Sequence, residues 1–144
     1  MSTFTDLLNG TLYGVMRWDQ WDILCEKICS GNEWYLYAIG QDVPDTPVVG
    51  VALSYALDEI SALLKRDHEA DYLGIVYVDY FSHPALVKIY DPNNLGASCG
   101  SSGHETPPGW ILSLLQPSQI ASDIPVPNNR RRWWQKLLGK LSTT

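Results

Sequence analysis

Cysteine and histidine are the residue types in this chain that could most directly perform covalent chemistry, and there are three of each. Cys99 lies within residues 91–109, a stretch rich in Gly, Ser, Asn and Pro without a helical or strand pattern. Loops of that length often carry function, and the N–H groups of a Gly/Ser-rich loop can stabilise a thiolate. One hypothesis is therefore a thiol-dependent enzyme or redox protein in which Cys99 is the nucleophile and His104 or His83 is the base.

Two other chemistries of the same loop are excluded by its neighbours. Residues 96–100 match the Gly-x-Ser-x-Gly pattern around Ser98, but that motif needs a following helix and then an acid and a histidine downstream. The Gly- and Pro-rich residues that follow cannot continue as a helix, and no acid lies between Ser98 and His104. Since no lysine or arginine lies between Lys88 and Arg130, a phosphate-binding loop is not expected either.

Cys25 and Cys29 fall one helical turn apart, so their side chains would point to one face of a helix. With Cys99 and a histidine they could supply thiolate and imidazole ligands to zinc. The sequence has no second paired ligand motif, however, and cysteine is among the most frequently buried residue types. We therefore expect both thiols to be buried and no metal site. No cofactor is expected, because Walker-type and Gly-x-Gly-x-x-Gly turns are missing.

The most specific pattern is a basic amphipathic segment at residues 130–144. Its tryptophans and leucines fall on one helical stripe, and its lysines and arginines flank that stripe. Such a helix could bind a partner's groove, lie on a membrane surface, or pack on its own acidic body. The candidate partner- or membrane-binding residues are Arg130, Arg131, Arg132, Trp133, Trp134, Lys136, Leu137, Leu138, Lys140 and Leu141.

Charge is distributed unevenly along the chain. Residues 1–129 carry a formal charge of −11 and residues 130–144 carry +5. An acidic body argues against nucleic acid as a partner, since attraction to phosphate dominates such binding. No apolar run approaches the roughly 18 residues of a membrane span, and the N-terminus lacks the pattern of a signal peptide. With an odd number of cysteines, we expect a cytoplasmic protein, peripheral at the membrane if the tail binds lipid.

Hydrophobic periodicity predicts two helices and four strands before the tail. The helices are 18–29 and a segment from Thr46 to residue 67, in which Thr46 caps and Pro47 takes the first helical position. The alternative is a short strand at 48–52 and a helix from Ser54. The strands are 33–39, 73–81, 85–91 and 110–115, and the short turn at residues 82–84 makes the middle two an antiparallel hairpin.

This element order predicts an α+β two-layer sandwich: a small, mainly antiparallel sheet of about four strands packed on two helices, plus a C-terminal amphipathic helix. The domain would span residues 1–118, followed by a proline-containing linker at 119–129 and the tail at 130–144. Tyrosines on the strands favour an aromatic-rich face, covered by helices or used to bind protein. They are Tyr35, Tyr37, Tyr77, Tyr80 and Tyr90.

The leading functional hypothesis is a small accessory or adaptor protein without enzymatic activity. It would bind a protein partner through the aromatic-rich face and the amphipathic tail. The main alternative is the thiol chemistry of Cys99, and a second is peripheral binding to a membrane surface.

Overall fold

The structure is a computed structural model, and it describes residues 3–30, 33–68, 70–92, 108–120 and 128–141. These residues form four helices and five strands. In chain order they are α1 (Phe4–Asn9), β1 (Tyr13–Val15), α2 (Trp18–Cys29), β2 (Tyr35–Ala38), α3 (Gly50–Asp67), β3 (Val76–Val78), β4 (Leu86–Ile89), β5 (Trp110–Ser113) and α4 (Asn128–Leu141).

The strands form one sheet in the order β1-β3-β4-β5-β2, and every neighbouring pair is antiparallel. In the middle of the sheet Val78 lies opposite Val87, and Leu112 lies opposite both Val87 and Leu36. Because β5 inserts between β4 and β2, the N-terminal half of the chain supplies both edge strands. The edge strand β2 lies beside the groove that is described below as the candidate functional site.

One face of the sheet carries the main core, which the helices cover. Successive strand residues point to opposite faces, so Val76 and Val78 on β3 point inward together. Helix α3 contacts both α2 and α4 and buries an apolar stripe at three- and four-residue steps. The stripe consists of Leu53, Ala56, Leu57, Ile60, Leu63 and Leu64. The three helices and this face of the sheet therefore form the two expected layers.

Part of the other face is covered by α1 and residues 115–120. Thr3 begins α1 with a capping box: its hydroxyl accepts from the Asp6 N–H, and the Asp6 carboxylate accepts from the Thr3 N–H. Phe4 then packs in a small cluster on this face. The hydroxyl of Tyr37 in that cluster accepts a hydrogen bond from the Ile120 N–H at 3.0 Å.

The predicted α+β class is confirmed, with five strands instead of about four. Helix 18–29, the hairpin and the strands within 33–39 and 110–115 are all present. The missed elements are α1 and β1. Helix α1 has six residues and β1 has three, one of them Gly14, so neither is long enough to display a hydrophobic period.

Helix α3 begins at Gly50, so both predicted starts, Thr46 and Ser54, are wrong. Val48 lies in an isolated antiparallel bridge with Trp34. The Trp34 N–H donates to the Val48 carbonyl at 3.2 Å, and the Val48 N–H donates to the Trp34 carbonyl at 2.8 Å. These bonds hold the chain extended as far as residue 48, and tertiary pairing overrides the local helix signal of Thr-Pro.

A buried carboxylate organises the connection between β3 and β4. Asp79 is 5% exposed. Its Oδ1 accepts hydrogen bonds from the N–H groups of Tyr80 at 2.8 Å, Ala85 at 3.0 Å and Leu86 at 3.2 Å. One side chain thereby pairs three backbone donors that the turn itself leaves unpaired.

We predict that Asp79→Ala lowers the free energy of unfolding by about 1–3 kcal/mol, because it leaves partly or fully buried N–H groups without an acceptor. Urea denaturation measures the change. Asp71→Ala is the matched control, since Asp71 is exposed, and it should change stability by less than about 0.5 kcal/mol. Equal effects of the two substitutions would contradict the role given to Asp79.

Candidate functional site

The basic tail forms α4, and the guanidinium of Arg130 joins it to the body. Arg130 is 3% exposed. Its Nε and Nη2 donate to the two carboxylate oxygens of Asp91 at 2.8 and 3.0 Å, and Nη2 also donates to Asp67. Asp67 is the last residue of α3, and Asp91 follows β4. One buried side chain therefore connects the start of α4 to both layers of the fold.

The charges at this contact reinforce one another. Burial disfavours the charged form of Arg130, but its hydrogen bonds to Asp91 and Asp67 outweigh that effect and raise its pKa. The hydrogen bonds from Arg66, together with the one from Arg130, lower the pKa of Asp67 against the opposing effect of burial. Asp67 therefore contributes stability above the ordinary aspartate pKa, and this contribution is lost as pH falls through its lowered pKa.

The apolar face of α4 packs against the body. Trp134 and Leu137 are 5% and 3% exposed and belong to the main core. Trp133 is half-buried, and its ring lies edge-on to that of Trp110 on β5, with 5.5 Å between ring centroids. Since Arg130, Trp134 and Leu137 follow one another at four- and three-residue steps, they form a single inward stripe.

The rest of α4 faces solvent. The ten candidate binding residues of the tail divide into three groups by burial. Arg130, Trp134 and Leu137 are buried; Trp133 and Leu141 are half-buried; Arg131, Arg132, Lys136, Leu138 and Lys140 are exposed. The outward face of α4 is therefore basic, although the body it packs on is acidic.

An apolar groove of about 550 Å³ lies between the C-terminal half of α4, the start of α3 and residues 41–49. Trp134, Leu138 and Leu141 form its α4 wall, and Ala52 contributes from α3. Leu36 of the edge strand β2 lines it together with the loop residues Gln41, Asp42, Val43, Pro44, Asp45, Thr46, Pro47, Val48 and Val49. Of these lining residues, the sequence pattern predicts only those of α4 as candidate binding residues.

In the part of the chain that forms the loop wall of the groove, the sequence predicts the start of a helix at Thr46. The sequence signal in this segment is its two prolines, Pro44 and Pro47. Proline lacks a backbone N–H and cannot donate to a sheet. Pro44 and Pro47 therefore indicate that residues 44–47 do not pair fully with a sheet edge, although Val48, which follows them, bonds to Trp34.

A second cleft, of about 510 Å³, lies between α2 and α3 and contains Cys25 and Cys29. Burial raises the pKa of Cys25 to about 12, although a hydrogen bond with Ser61 opposes the shift. Burial and the charge of Asp58 also raise the pKa of Cys29. Both groups are therefore thiols at neutral pH, whereas nucleophilic attack and metal binding use the thiolate.

The expected burial of both cysteines is wrong for Cys29. Cys25 is half-buried, whereas Cys29 is exposed. The buried stripe of α2 runs through Trp21, Leu24 and Ile28, and Cys29 lies one residue beyond it at the end of the helix.

The residues of the thiol-chemistry hypothesis are not brought together in the part of the chain described. Cys99 and His104 lie outside the described residues. His83 is exposed in the β3–β4 connection, where its Nδ1 lies 3.2 Å from the Ser82 hydroxyl. Catalysis by Cys99 therefore stays a prediction.

The strand tyrosines divide between the two ends of the sheet. Tyr37 is buried beneath α1 and residues 115–120. Tyr77 and Tyr90 pack edge-on at 5.8 Å, and the Lys88 Nζ lies 5.5 and 5.2 Å from their ring centroids. Tyr80, beyond the end of β3, is 65% exposed. Tyr35 on β2 is half-buried, and Tyr13 on β1 and Tyr72 before β3 are 57% and 68% exposed. The exposed tyrosines among the described residues therefore lie toward β1 and β3.

Among the described residues, no three His, Cys, Asp or Glu side chains form a group that could hold a metal ion. None of the described helices combines the length and the apolar character needed to cross a membrane.

Comparisons of the chain with protein-family models, with curated proteins and with solved structures found no match. Function is therefore inferred from the grooves, charges and contacts of the molecule itself.

We predict that Arg130→Ala lowers the free energy of unfolding by about 3–5 kcal/mol, because it leaves Asp91 buried without its cation. Arg131→Ala, an exposed arginine on the same helix, is the control and should change it by less than about 0.5 kcal/mol. The double variant Arg130→Met/Asp91→Leu should recover part of the loss, since it removes both buried charges. Indistinguishable urea midpoints for the two arginine variants would show that Arg130 does not anchor α4.

We predict that Cys25 of the folded protein alkylates with iodoacetamide at pH 7 much more slowly than a free cysteine, because its pKa of about 12 leaves little thiolate. Trypsin cleaves after Lys27, so mass spectrometry follows Cys25 and Cys29 on separate peptides. Cys29 should react faster than Cys25 because it is exposed. Labelling of Cys25 at the rate of a model thiol would show that its pKa is not raised.

Proposed function

We propose that this chain is a small cytoplasmic adaptor that binds a protein partner in the groove between α4 and residues 41–49. The observation that supports the proposal is the groove itself, which has a volume of about 550 Å³ and mainly apolar walls. Concave and mostly apolar walls are typical of ligand sites, and peptide segments of protein partners bind in hydrophobic grooves.

The rim of the groove supports binding of a partner of low polarity. Val49 and Leu138, on opposite walls, are 48% and 43% exposed. Each would gain hydrophobic stabilisation if a partner covered it, at roughly 25 cal/mol per Å² of apolar surface buried. Clustered exposure of this kind is typical of interaction sites.

The described polar groups favour binding over catalysis. The thiols of the α2–α3 cleft have raised pKa values, and the buried carboxylates of Asp79 and Asp91 accept structural hydrogen bonds. Their positions explain how the fold is held together and supply no activated nucleophile or base.

The packing of α4 favours a protein partner over a membrane surface. An interfacial helix inserts its tryptophans and leucines among lipid headgroups and acyl chains. In this chain Trp134 and Leu137 are already buried in the core. Membrane binding by this stripe would require α4 to leave the body and to break the contacts of Arg130 with Asp91 and Asp67.

The proposal is tested by selecting displayed random dodecapeptides on the immobilised full-length chain. Selected peptides should lose about tenfold or more in affinity for Leu138→Asp, because a charge would then project from a groove wall, and tenfold corresponds to about 1.4 kcal/mol. Fluorescence polarisation of labelled peptides gives the affinities.

Val51→Asp is the matched control, since Val51 is an exposed aliphatic residue that does not line the groove. It should leave the affinities unchanged, and circular dichroism confirms that both variants are folded. Selected peptides whose affinities are the same for wild type, Leu138→Asp and Val51→Asp would overturn the assignment of the groove.

A further inference from the structure

We infer that the groove accepts an extended peptide segment that pairs with the open edge of β2 and carries basic residues beside apolar ones. The inference rests on the proposed function and specifies the partner's conformation and charge. It is drawn from the hydrogen-bond pattern of β2, the path of residues 44–48 and the charges on the groove lining.

The hydrogen-bond pattern of β2 leaves the backbone of Leu36 facing outward. The Ile39 N–H donates to the Gly109 carbonyl at 3.0 Å, so residue 39 pairs toward β5. Because an antiparallel strand alternates its bonding direction, Tyr37 also pairs toward β5, whereas Leu36 and Trp34 point away. Trp34 exchanges both of its bonds with Val48. Within the described residues, neither backbone group of Leu36 has a partner on that side.

The chain itself begins to cover this edge and then leaves it. Continuing the antiparallel register of Trp34 with Val48 would place Thr46 opposite Leu36 and Pro44 opposite Ala38. Pro44 has no N–H to donate to the Ala38 carbonyl, and that carbonyl instead accepts from the Gln41 N–H at 3.1 Å. Residues 41–47 instead form the far wall of the groove. The space left between that wall and α4 lies along the unpaired part of β2.

An extended peptide segment can bond to the unpaired backbone of Leu36 and also fill the space between the groove walls. Addition of a strand to an open sheet edge gains main-chain hydrogen bonds, and pockets for alternate side chains give specificity. The backbone N–H and carbonyl of Leu36 would form the hydrogen bonds to the added strand. Side chains of the added strand that point to the helical layer would contact Trp134 and Leu138, which line the groove.

The charges on the lining favour a basic segment. Asp42 and Asp45 are the charged residues among those that line the groove, and both are exposed. Neither forms an ion pair with another described residue. Helix α4, which forms the opposite wall, carries five cations, and the chain as a whole carries −6. The preference for cations is therefore local to the loop rim beside Asp42 and Asp45. A segment alternating apolar residues with lysine or arginine fits both the walls and the rim.

Amide hydrogen exchange of the full-length chain tests the open edge first. In the free protein the Leu36 amide should exchange faster than that of Tyr37, although both residues are buried, because the Tyr37 amide bonds to β5. Addition of the hexapeptide acetyl-(Lys-Val)₃-amide should slow exchange at Leu36 and leave Tyr37 unchanged. A Leu36 amide as protected as that of Tyr37 in the free protein would overturn the inference.

Modified peptides distinguish strand pairing from contact by side chains alone. Methylating the backbone amides of all valines, or of all lysines, blocks donors on one side of the strand at a time. One of these two peptides should lose about tenfold in affinity and the other should keep most of it, because a single row of amides faces Leu36. Equal affinities for both methylated peptides would overturn the pairing.

The charge preference is tested with the exposed residues of the rim. Asp42→Lys/Asp45→Lys should weaken binding of the lysine peptide by about tenfold and improve binding of acetyl-(Glu-Val)₃-amide. Unchanged affinities would overturn the charge preference. If displayed peptides still lose affinity for Leu138→Asp while exchange at Leu36 never responds, the groove is a binding site but this mode of binding is wrong.

Discussion

The buried guanidinium of Arg130 is the contact on which the arrangement of the molecule depends. It bonds two carboxylates that follow elements of different layers, Asp67 after α3 and Asp91 after β4. Three charges brought together out of water are stable only when they satisfy one another. The start of α4 is therefore fixed to both layers, and the groove exists because the rest of the helix is then directed along α3.

This contact also changes how the basic tail is expected to interact with the acidic body. A segment with five cations beside a body of −11 suggests attraction that is diffuse and screened by salt. The structure uses one of the five cations in a buried, directional contact and leaves Arg131, Arg132 and Lys136 in solvent. The buried contact gives the helix its position, and the exposed cations keep its outer surface hydrated.

The period of hydrophobic residues made much of the fold predictable. Most of the features that were not predicted depend on contacts between residues far apart in the sequence. Helix α2 and the β3–β4 hairpin carry clear patterns within single segments. The start of α3 does not, because the bridge between Trp34 and Val48 determines it. The burial of Arg130 was also not predictable from local sequence, because its partners lie 39 and 63 residues away. A charged residue in an amphipathic helix is usually expected to face solvent. The groove needs both of these contacts, so its loop wall was not predictable from local sequence.

The order of the elements has a consequence for biosynthesis. Helix α4 follows every strand in the chain, yet Trp134 and Leu137 complete the main core. At translation rates of about 5–20 residues per second, the ribosome needs on the order of seconds to proceed from β5 to the end of α4. During that interval the apolar surface that α4 covers is exposed on the nascent chain, and Arg130 is not yet in place beside Asp91. The main core therefore cannot be completed until α4 has been synthesised.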